Sequence, residues 1–469
     1  MRTWRDSVAD GEYDVLVLGA GSGGYACALR AAQLGLSVGL VEKGNLGGTC
    51  LHVGCIPTKA LLHAAEVADS AREAGQFGVS ATFDGIDMAG VNAYKDKVVD
   101  RLFKGLTGLI RSRGITVIEG TGTLTGPREV TVDGMAHTGK AVVLASGSYS
   151  RSLPGLDIDG ERIITSEQAL RLDRVPASAI VLGGGVIGCE FASVWKSFGS
   201  DVTIVEALPR LVAAEDEASS KALERAFRKR RIDFRTATSY KSVKVTDTGV
   251  AVTVEGAKDG ESVIEAEVLL VAVGRGPSTA GLGYEEQGIA MERGFVLTDE
   301  RCRTNVEGVY AVGDIVPGLQ LAHRGFQQGI FVAEEIAGFD PRPVDDAGIP
   351  RVTYSHPEIA SVGLDEATAR ELHGDAVTTI TYDLGGNGKS QILQTQGFVK
   401  LVGLTDGPVL GVHMVGDRVG ELIGEAQLIY NWEAHADDVA PLVHAHPTQN
   451  EALGEAHLAL AGKPLHAHS

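Results

Sequence analysis

The chain has 469 residues, enough for about two to four domains with ample hydrophobic cores. Its 61 acidic and 42 basic side chains give a formal net charge of −19, which argues against nucleic acid or an anionic membrane as a partner. Five cysteines do not suit an extracellular disulfide framework, no membrane span is visible, and residues 1–14 resemble neither a secretory signal nor a transit peptide, so we expect a cytoplasmic protein.

The first nucleotide-binding pattern is an apolar strand followed by a glycine-rich turn, residues 19–24, which opens a helix. The next strand ends at Glu42, 23 residues after Gly19. Gly19 allows a tight turn, Gly21 lets the backbone approach a pyrophosphate at the helix N-terminus, and Gly24 permits close helix packing. Glu42 is placed to bind ribose hydroxyls. Together these features predict a dinucleotide-binding fold.

Two cysteines, Cys50 and Cys55, follow in a stretch of small residues. On an undistorted helix they would be separated by about 7.5 Å along the axis and would face apart, which is too far for a disulfide. Pro57 should restrict Ile56 to extended backbone. Together with Gly54, it predicts a bent or unwound turn that lets the two sulfurs meet. On these residues alone, two buried reduced thiols remain the alternative.

A second glycine-rich pattern repeats the first. Gly183, Gly185 and Gly188 open a helix, and the following strand ends at Glu206, again 23 residues after the first glycine. Two matching units predict two dinucleotides. Glu206 should bind a free 2′-hydroxyl and repel a 2′-phosphate, which favours NAD over NADP. The nearby Arg210 could bind a 2′-phosphate, or it could be a solvent-exposed turn residue.

Downstream, the pattern predicts strands at residues 242–246 and 250–254 that form a hairpin, and a buried strand at residues 268–277 that leads back toward the first domain. A short apolar strand then ends at Asp314. Its carboxylate can bind a polyol hydroxyl, or it can cap the following helix. We therefore predict that the first nucleotide domain is split and that the second is inserted in it.

In the C-terminal third of the chain, the pattern of apolar residues predicts several strands followed by helices. His446 is followed five residues later by Glu451, a spacing that can form a histidine–carboxylate pair and raise the basicity of the ring. The alternatives are a hydrogen-bonded structural histidine, or a metal site with His444 that no further ligand spacing supports. The histidines expected at the solvent-exposed surface are His457, His466 and His468.

The cysteine stretch, residues 47–59, and the His-Pro-Thr-x-x-Glu run at residues 446–451 resemble signatures of the pyridine nucleotide-disulfide oxidoreductases, a flavoprotein family. The similarity covers nearly the whole chain. It is greatest to the dihydrolipoamide dehydrogenase branch and, at residues 321–329, to actinobacterial members. His52 and Thr58 stand where relatives often carry asparagine and serine.

The resemblance implies an α/β fold with two Rossmann-like nucleotide-binding domains, the NAD domain inserted in the FAD domain, and an α+β C-terminal dimerisation domain. The implied limits are 1–150 for the first part of the FAD domain, 151–274 for the NAD domain, 275–346 for the second part of the FAD domain and 347–469 for the dimerisation domain.

The resemblance also assigns roles. Cys50 would be the interchange thiol of a redox-active disulfide, and Cys55 would be the thiolate beside the flavin. His446, supplied by the second subunit of a homodimer, would take the substrate's proton. The implied catalytic residues are Cys50, Cys55, His446, Glu451, Lys59 and Glu190. The implied FAD-binding residues are Gly19, Gly21, Gly24, Glu42, Lys59, Gly147, Asp314, Ala322 and His323. The implied NAD-binding residues are Gly183, Gly185, Gly188, Glu206 and Gly274, and no metal is expected.

The implied activity is oxidation of protein-bound dihydrolipoamide to lipoamide with reduction of NAD⁺ to NADH. The implied partners are lipoyl domains of an acyltransferase subunit or the H protein of glycine cleavage, because this chain carries no lipoyl domain of its own. One alternative is an NAD(P)H-dependent reductase of a low-molecular-weight disulfide such as that of glutathione or mycothiol. Another is a non-catalytic flavoprotein subunit. The absence of cysteine beyond Cys302 argues against mercuric reductase and the large thioredoxin reductases.

Overall fold

A computed structural model describes residues 11–257 and 260–466 of the chain. These residues form two compact units. The first unit contains the described parts of Met1–Leu61, Ala89–Arg151 and Gly274–Asp346. The second unit contains the described parts of Leu62–Met88, Ser152–Val273 and Ala347–Ser469. The second unit includes both the predicted NAD segment and the predicted dimerisation segment, so this division does not separate those two. The predicted domain limits stay a prediction.

The helices, numbered in chain order, are α1 Ser22–Gln33, α2 Gly48–Val53, α3 Cys55–Glu73, α4 Met88–Ser112, α5 Ser166–Ala169, α6 Val186–Phe198, α7 Glu217–Lys229, α8 Ala322–Ile336, α9 Glu366–His373, α10 Gly388–Leu393, α11 Val419–Asn431, α12 Ala436–Val439 and α13 Glu451–Leu460. Across residues 11–257 and 260–466, no helix has both the length and the apolar character needed to cross a bilayer.

The strands of the first half are β1 Glu12–Leu18, β2 Val38–Glu42, β3 Thr116–Glu119, β4 Gly122–Gly126, β5 Glu129–Val132, β6 Met135–Leu144, β7 Ser148–Ser150, β8 Ile163–Ile164, β9 Ser178–Leu182, β10 Asp201–Val205, β11 Asp233–Arg235 and β12 Thr238–Val245. Those of the second half are β13 Val250–Gly256, β14 Gly260–Ala266, β15 Val268–Val271, β16 Arg275–Pro277, β17 Met291–Glu292, β18 Phe295–Val296, β19 Val309–Ala311, β20 Arg351–Thr353, β21 Glu358–Gly363, β22 Val377–Asp383, β23 Phe398–Leu404 and β24 Val409–Gly416.

The first unit is organised around one sheet with the strand order β3-β2-β1-β6-β5-β4, to which β19 adds beside β6. Strands β3, β2, β1, β6 and β19 pair in parallel, whereas β4, β5 and β6 form an antiparallel meander. The inner strands are apolar and fully buried, as in Val15, Leu16 and Val17, because a parallel sheet is covered on both faces. The carboxyl ends of β1, β2 and β19 therefore meet at one edge of the sheet.

The second unit contains a parallel sheet of order β11-β10-β9-β15-β8 and an antiparallel sheet β12-β13-β14. The predicted hairpin is present as β12 and β13. Its partner β14 was not predicted, because polar residues alternate along that strand and its burial pattern is largely exposed. The predicted buried strand is β15, which pairs with β9.

The C-terminal part of the second unit is an antiparallel sheet of order β20-β21-β24-β23-β22. Helices α11 and α13 pack on it through a core of aliphatic side chains that includes Val412, Met414, Ile423 and Leu453. This α+β arrangement supports the turn between α12 and α13 in which His446 lies.

A buried charge cluster joins α7 to this sheet inside the second unit. Lys400 of β23 donates to both carboxylate oxygens of Asp216 at 2.9 Å, and its Nζ lies 2.7 Å from Glu366 Oε2. Asp216 also caps α7 by accepting from Ala218 N at 2.9 Å. Burial alone would raise the pKa of Asp216, but the Lys400 hydrogen bonds outweigh it and hold that pKa below its ordinary value. Removing one partner would leave an uncompensated buried charge.

Glu358, at the start of β21, makes the stability of the fold depend on pH. Burial raises the pKa of its carboxyl to about 7, although Gly420 N donates to it at 2.9 Å. Between pH about 4.5 and 7 the folded chain therefore keeps a proton that the unfolded chain releases, so the free energy of unfolding should fall as pH rises through this window.

We expect Glu358→Gln to abolish this fall in the free energy of unfolding with pH, because the amide oxygen still accepts from Gly420 N but the side chain carries no charge. The variant should be about 1–3 kcal/mol more stable than the parent chain at pH 8 and gain little at pH 4.5. Urea midpoints at the two pH values measure the difference. Glu371→Gln, which neutralises an exposed carboxylate on α9, is the matched control. An equal gain at both pH values would contradict the assignment.

Candidate active site and nucleotide sites

The first glycine loop has the geometry that a dinucleotide requires. Gly19 has φ +105°, and a Cβ there would lie 2.4 Å from Ala145 O. A Cβ on Gly24 would lie 1.8 Å from Gly19 O, so α1 packs directly on the turn. At Gly21 a Cβ would meet nothing within 4 Å, which leaves open space in front of the N-terminus of α1. No side chain caps that terminus within the described chain, so its N–H groups suit a pyrophosphate.

Glu42 lies at the end of β2 beside this loop. Its Oε2 accepts from Ala20 N at 2.8 Å, and its Oε1 accepts from Gly44 N at 2.8 Å. Two backbone donors thus fix an ionised carboxylate where an adjacent ribose would present its hydroxyls. The residues of the first loop fit the adenosine end of a dinucleotide.

The second glycine loop repeats these contacts in the second unit. Gly183 has φ +108°, and a Cβ there would lie 2.4 Å from Ala272 O. A Cβ on Gly188 would lie 1.9 Å from Gly183 O, so no side chain fits at that position. A Cβ on Gly185 would meet nothing within 4 Å. Glu206 Oε2 accepts from Gly184 N at 2.6 Å, and its Oε1 accepts from Leu208 N at 2.6 Å. The second loop therefore fits a second dinucleotide by the same argument.

Arg210 has another task than binding a phosphate. Its Nη2 donates to Ala213 O at 2.8 Å and to Glu215 O at 2.9 Å, so the guanidinium holds the loop after β10. This arrangement leaves the Glu206 carboxylate as the charged group beside the second glycine loop at the end of β10. Gly274, predicted for NAD, has φ +105° and open space at its Cβ.

The cysteine stretch consists of two short helical pieces with a break between them. Helix α2 ends at Val53, Gly54 has φ −140° and ψ −115°, and α3 begins at Cys55. The predicted bend is therefore present, but the prediction of extended backbone at Ile56 is wrong. Ile56 is helical because Pro57 lies in the first turn of α3, where a missing N–H is tolerated.

This stretch is docked on the first glycine loop through backbone contacts. Gly47 N donates to Ala20 O at 2.9 Å, and a Cβ on Gly48 would lie 2.7 Å from Gly21 Cα. Thr58 Oγ1 donates to Gly54 O at 2.6 Å and so fixes the break. The cysteines consequently lie next to whatever the first loop binds.

No disulfide joins Cys50 to Cys55 in this structure, which corresponds to the reduced form of the pair. Their side chains are hydrogen-bonded to each other, and this bond is the largest cause that raises the pKa of Cys50, followed by burial and the charge of Cys55. The positive charge of Lys59, one turn beyond Cys55, opposes the shift. A raised pKa favours the thiol form of Cys50, as expected for the interchange thiol that the resemblance implies.

Tyr25, directly after Gly24, lies near both thiols and was not predicted. Burial, and then the charges of Cys50 and Cys55, raise the pKa of its phenol to about 12. Its ring packs on Phe326 with centroids 5.5 Å apart. The position of Tyr25 directly after the glycine motif could have indicated that it lies near the cysteines. A tyrosine on a helix is more often a core residue, so the position alone does not indicate a functional role.

His52 lies on α2 between the two cysteines. Its Nε2 is 2.9 Å from Leu46 O, and its ring meets Phe103 edge-on at 5.2 Å. Both contacts tie α2 to its surroundings in the first unit, which is a structural task for a residue where relatives often carry asparagine.

Asp314 does not cap a helix. Ser148 Oγ donates to its Oδ2 at 2.5 Å, and Arg275 Nε donates to Ser148 Oγ at 2.8 Å. Gly313, with φ +76°, is fixed by Gln328 Oε1, which accepts from its N at 2.8 Å. The carboxylate is thus oriented by a chain of contacts at the end of β19, which suits binding of a polyol hydroxyl.

Two further predicted cofactor positions lie in the first unit. Gly147 has φ +74° and open space at its Cβ. Ala322 and His323 form the start of α8, whose N-terminus has no capping side chain among the described residues. Such a terminus favours a negatively charged or electron-rich group in front of it.

His446 and Glu451 form the predicted pair in the second unit. His446 Nδ1 is 2.8 Å from Glu451 Oε1, and Thr448 N donates to Glu451 Oε2 at 2.8 Å. Burial would raise the pKa of Glu451, but the Thr448 and His446 hydrogen bonds outweigh it and lower that pKa. Because an ionised carboxylate only accepts, we assign the proton of this bond to Nδ1 of His446, which leaves Nε2 as the ring nitrogen outside the bond. The His446 side chain is 77% exposed.

Glu190, also in the second unit, is buried on α6, and its Oε1 accepts from Tyr354 N at 3.0 Å. Its implied catalytic role stays a prediction. Within the described part of the chain, no group of three or more His, Cys, Asp or Glu side chains is placed to hold a metal ion.

One expectation about the last histidines is wrong. His457 is fully buried, and its Nδ1 is 2.6 Å from Leu453 O, because α13 turns this face toward the core. His466 is exposed as expected and bonds to Glu455 Oε1 at 2.8 Å. His468 lies outside the described residues.

The sequence matches the family described as pyridine nucleotide-disulphide oxidoreductase over residues 13–329, and the dimerisation domain of that family over residues 349–457. The chain belongs to the pyridine nucleotide-disulphide oxidoreductase family. Membership confirms the predicted fold class of two Rossmann-like domains and a C-terminal dimerisation domain, and the predicted homodimer. It also confirms the prediction of an oxidoreductase that uses FAD and a pyridine nucleotide.

Individual members of the family align over nearly their full length. The chain is 41% identical over 471 residues to the dihydrolipoyl dehydrogenase of Bacillus subtilis (strain 168), covering 97% of this chain and 99% of the relative. It is 40% identical over 467 residues to dihydrolipoyl dehydrogenase 1, mitochondrial, of Arabidopsis thaliana, covering 97% and 92%. The crystal structure of LpdA from Mycobacterium tuberculosis superposes with a TM-score of 0.88 at 28% identity and covers 95% of this chain and 99% of that one.

Proposed function

We propose that this chain is a dihydrolipoyl dehydrogenase, which oxidises a protein-bound dihydrolipoyl dithiol to its cyclic disulfide and reduces NAD⁺ to NADH. The observation that carries the proposal is the hydrogen-bonded Cys50–Cys55 pair, docked by its backbone on the first glycine loop. Curated relatives at about 40% identity over nearly the whole chain carry this activity in their names.

In the oxidised enzyme, Cys50 and Cys55 form a disulfide. One substrate sulfur attacks Cys50, the Cys50–Cys55 bond breaks, and Cys55 leaves as a thiolate. The second substrate sulfur, once deprotonated, displaces Cys50 and closes the lipoyl ring. The substrate has then lost two electrons and two protons, and the cysteine pair holds the electrons as one thiol and one thiolate. The raised pKa of Cys50 supports this final distribution of charge.

His446 Nε2 is the base for the substrate thiol, and Glu451 holds the ring through Nδ1. Because the His446 side chain is 77% exposed, its base is open to a second copy of the chain. We assign His446 of one subunit to the cysteines of the other, so that the homodimer forms two mixed sites.

The residues that would hold FAD are the first glycine loop, Glu42, Asp314 with the groups that orient it, Gly147, Lys59, Ala322 and His323. Bound FAD would accept the electron pair from the reduced cysteines and pass it as hydride to NAD⁺. The second loop and Glu206 would hold NAD⁺ through the ribose hydroxyls.

The proposal predicts a strong preference for NAD⁺ over NADP⁺ that depends on Glu206. Removing one charged acceptor costs about 1.5–3 kcal/mol, so Glu206→Ala should lower kcat/KM for NAD⁺ about 10- to 100-fold and reduce the discrimination against NADP⁺. Steady-state NADH and NADPH formation measure both. The matched control is Glu42→Ala, which changes the equivalent residue of the first loop. It should lower the flavin content of the protein and leave the NAD⁺/NADP⁺ ratio unchanged.

The decisive experiment is NADH formation from dihydrolipoamide and NAD⁺ by the purified dimer, with the flavin spectrum recorded during anaerobic two-electron reduction. Turnover together with a long-wavelength thiolate–flavin band supports the proposal. If the band forms but dihydrolipoamide is inert, the proposed substrate is wrong, and the disulfides of glutathione and mycothiol are tested next. Absence of both flavin and turnover contradicts the assignment as a whole.

We further propose that the dithiol arrives on a lipoyl domain of an acyltransferase subunit or on the H protein of glycine cleavage, the partners that the resemblance implies. The net charge of −19 and the scarcity of cysteine favour a cytoplasmic setting. We keep the division into FAD, NAD and dimerisation segments with the limits predicted above.

A further inference from the structure

A second histidine–carboxylate pair lies behind His446 in the second unit. His444 Nε2 is 2.8 Å from Glu425 Oε1, and Glu425 lies on α11. The His444 side chain is only 10% exposed, against 77% for His446. The two rings are two residues apart in sequence, yet only His446 is open to a substrate.

Glu425 also holds the other end of the segment that carries His446. Its Oε2 accepts from Asn450 Nδ2 at 2.5 Å, and Asn450 directly precedes Glu451. One carboxylate thus joins both ends of residues 444–450, which we call the His446 loop. Inside the loop Thr448 Oγ1 donates to Ala445 O at 2.7 Å, and outside it Asn387 Nδ2 donates to Thr448 O at 2.9 Å.

The His444 ring has little freedom to move. A Cβ on Gly454 of α13 would lie 2.6 Å from His444 Nδ1, so the helix backbone packs directly against the ring. On the other side of the ring, Glu425 of α11 is hydrogen-bonded to Nε2 of His444. The loop is therefore anchored to both helices through one buried imidazole.

We propose that Glu425 is a positioning residue which, through His444 and Asn450, fixes the His446 loop so that Nε2 of His446 faces the substrate while Nδ1 stays on Glu451. A general base acts only within hydrogen-bond reach of its proton, and a displacement of about 1 Å costs about 100-fold in rate. Glu425, His444 and Asn450 touch neither substrate nor cofactor. The inference rests on the proposed function, because it assigns His446 as the base of that reaction.

The test compares Glu425→Ala, which frees both ends of the loop, with Asn450→Ala, which frees one. We expect Glu425→Ala to lower kcat for dihydrolipoamide oxidation about 10- to 100-fold with KM for NAD⁺ unchanged, and Asn450→Ala to lower it less. The rate of NADH-driven reduction of ferricyanide should stay within about two-fold, because that reaction needs no thiol base. Glu425→Gln should restore most of kcat, since the amide keeps an acceptor and a neutral His444 can change tautomer.

His466→Ala is the matched control, because it removes an exposed histidine–carboxylate pair of the same length, 2.8 Å to Glu455 of α13. It should change no rate. Histidine ¹⁵N NMR of the flavin-loaded protein supplies a readout that does not depend on turnover. The parent should show His446 with its proton on Nδ1, and Glu425→Ala should show a mixture of tautomers.

If Glu425→Ala leaves both kcat and the His446 tautomer as in the parent, the inference is overturned. A parallel loss of ferricyanide reduction would overturn it too, since the residue would then serve the general fold. If the parent itself does not oxidise dihydrolipoamide, the proposed function fails, and the NMR comparison alone decides whether Glu425 fixes the His446 ring.

Discussion

Replacing Cys50 with serine is expected to lower kcat for dihydrolipoamide oxidation by more than about 1,000-fold, because a hydroxyl cannot form the disulfide that the substrate must attack. Only reactions that pass through the cysteine pair should lose rate. NADH-driven reduction of ferricyanide bypasses the cysteine pair, so its rate should stay close to that of the parent. The two rates, measured on one preparation, separate failure of the redox pair from failure of the fold.

The partner variant Cys55→Ser should abolish the same turnover but differ in its spectrum. The hydrogen bond and the charge of Cys55 raise the pKa of Cys50. In the proposed mechanism, Cys55 is therefore the thiolate of the reduced pair. The long-wavelength thiolate–flavin band should therefore survive in Cys50→Ser at pH 8 and be absent in Cys55→Ser. The absorbance of the oxidised flavin, recorded for both variants under anaerobic conditions over a series of pH values, makes the comparison.

A third cysteine supplies the control. Cys189 is buried on α6, and its Sγ donates to Gly184 O at 3.3 Å, a bond that a serine hydroxyl can keep. Cys189→Ser should retain both the turnover and the band. Turnover in Cys50→Ser above about one per cent of the parent would mean that this cysteine is not the interchange thiol, and the division of roles between the two cysteines would have to be abandoned.

The geometry of the two glycine loops could be predicted from local sequence because its requirements are local. Gly19 and Gly183 adopt a positive φ, Gly24 and Gly188 leave no room for a Cβ, and an acid follows at a fixed distance along one strand. All of these features lie within one βαβ unit. The break at Gly54 was predicted for the same reason, although the effect of Pro57 on Ile56 was misjudged because Pro57 lies inside the first helical turn.

Contacts between residues far apart in sequence could not be predicted in this way. Ser148 and Arg275 meet because β7 and β16 pair across 124 intervening residues, and only that pairing brings them to Asp314. Similarly, Glu425 reaches His444 and Asn450 because α11 packs beside α13 on the C-terminal sheet. The burial of His457 has the same origin, since a histidine near a chain end carries no local sign of the helix face that it occupies.

The second large effect is expected at His446. His446→Gln should lower the rate at which dihydrolipoamide reduces the enzyme by about 100- to 10,000-fold, the usual contribution of a general base, and leave reduction by NADH unchanged. Glu451→Gln should lose less, about 10- to 100-fold, because the amide can still accept from Nδ1 but no longer stabilises the charged imidazolium. Stopped-flow reduction by each substrate separates the two half-reactions, and Glu455→Gln on the same helix is the control.

The same variants decide which subunit supplies the base. When inactive Cys50→Ser and His446→Gln dimers exchange subunits, a mixed dimer has one site with an intact cysteine pair and an intact histidine only if these come from different chains. Random exchange should then restore about one quarter of the parent's turnover. If His446 serves the cysteines of its own chain, every site in the mixture lacks one group and no activity returns. Recovery that requires both variants, and that fails when either is mixed with a Cys50→Ser/His446→Gln double variant, would establish that each active site is built from two copies of this chain.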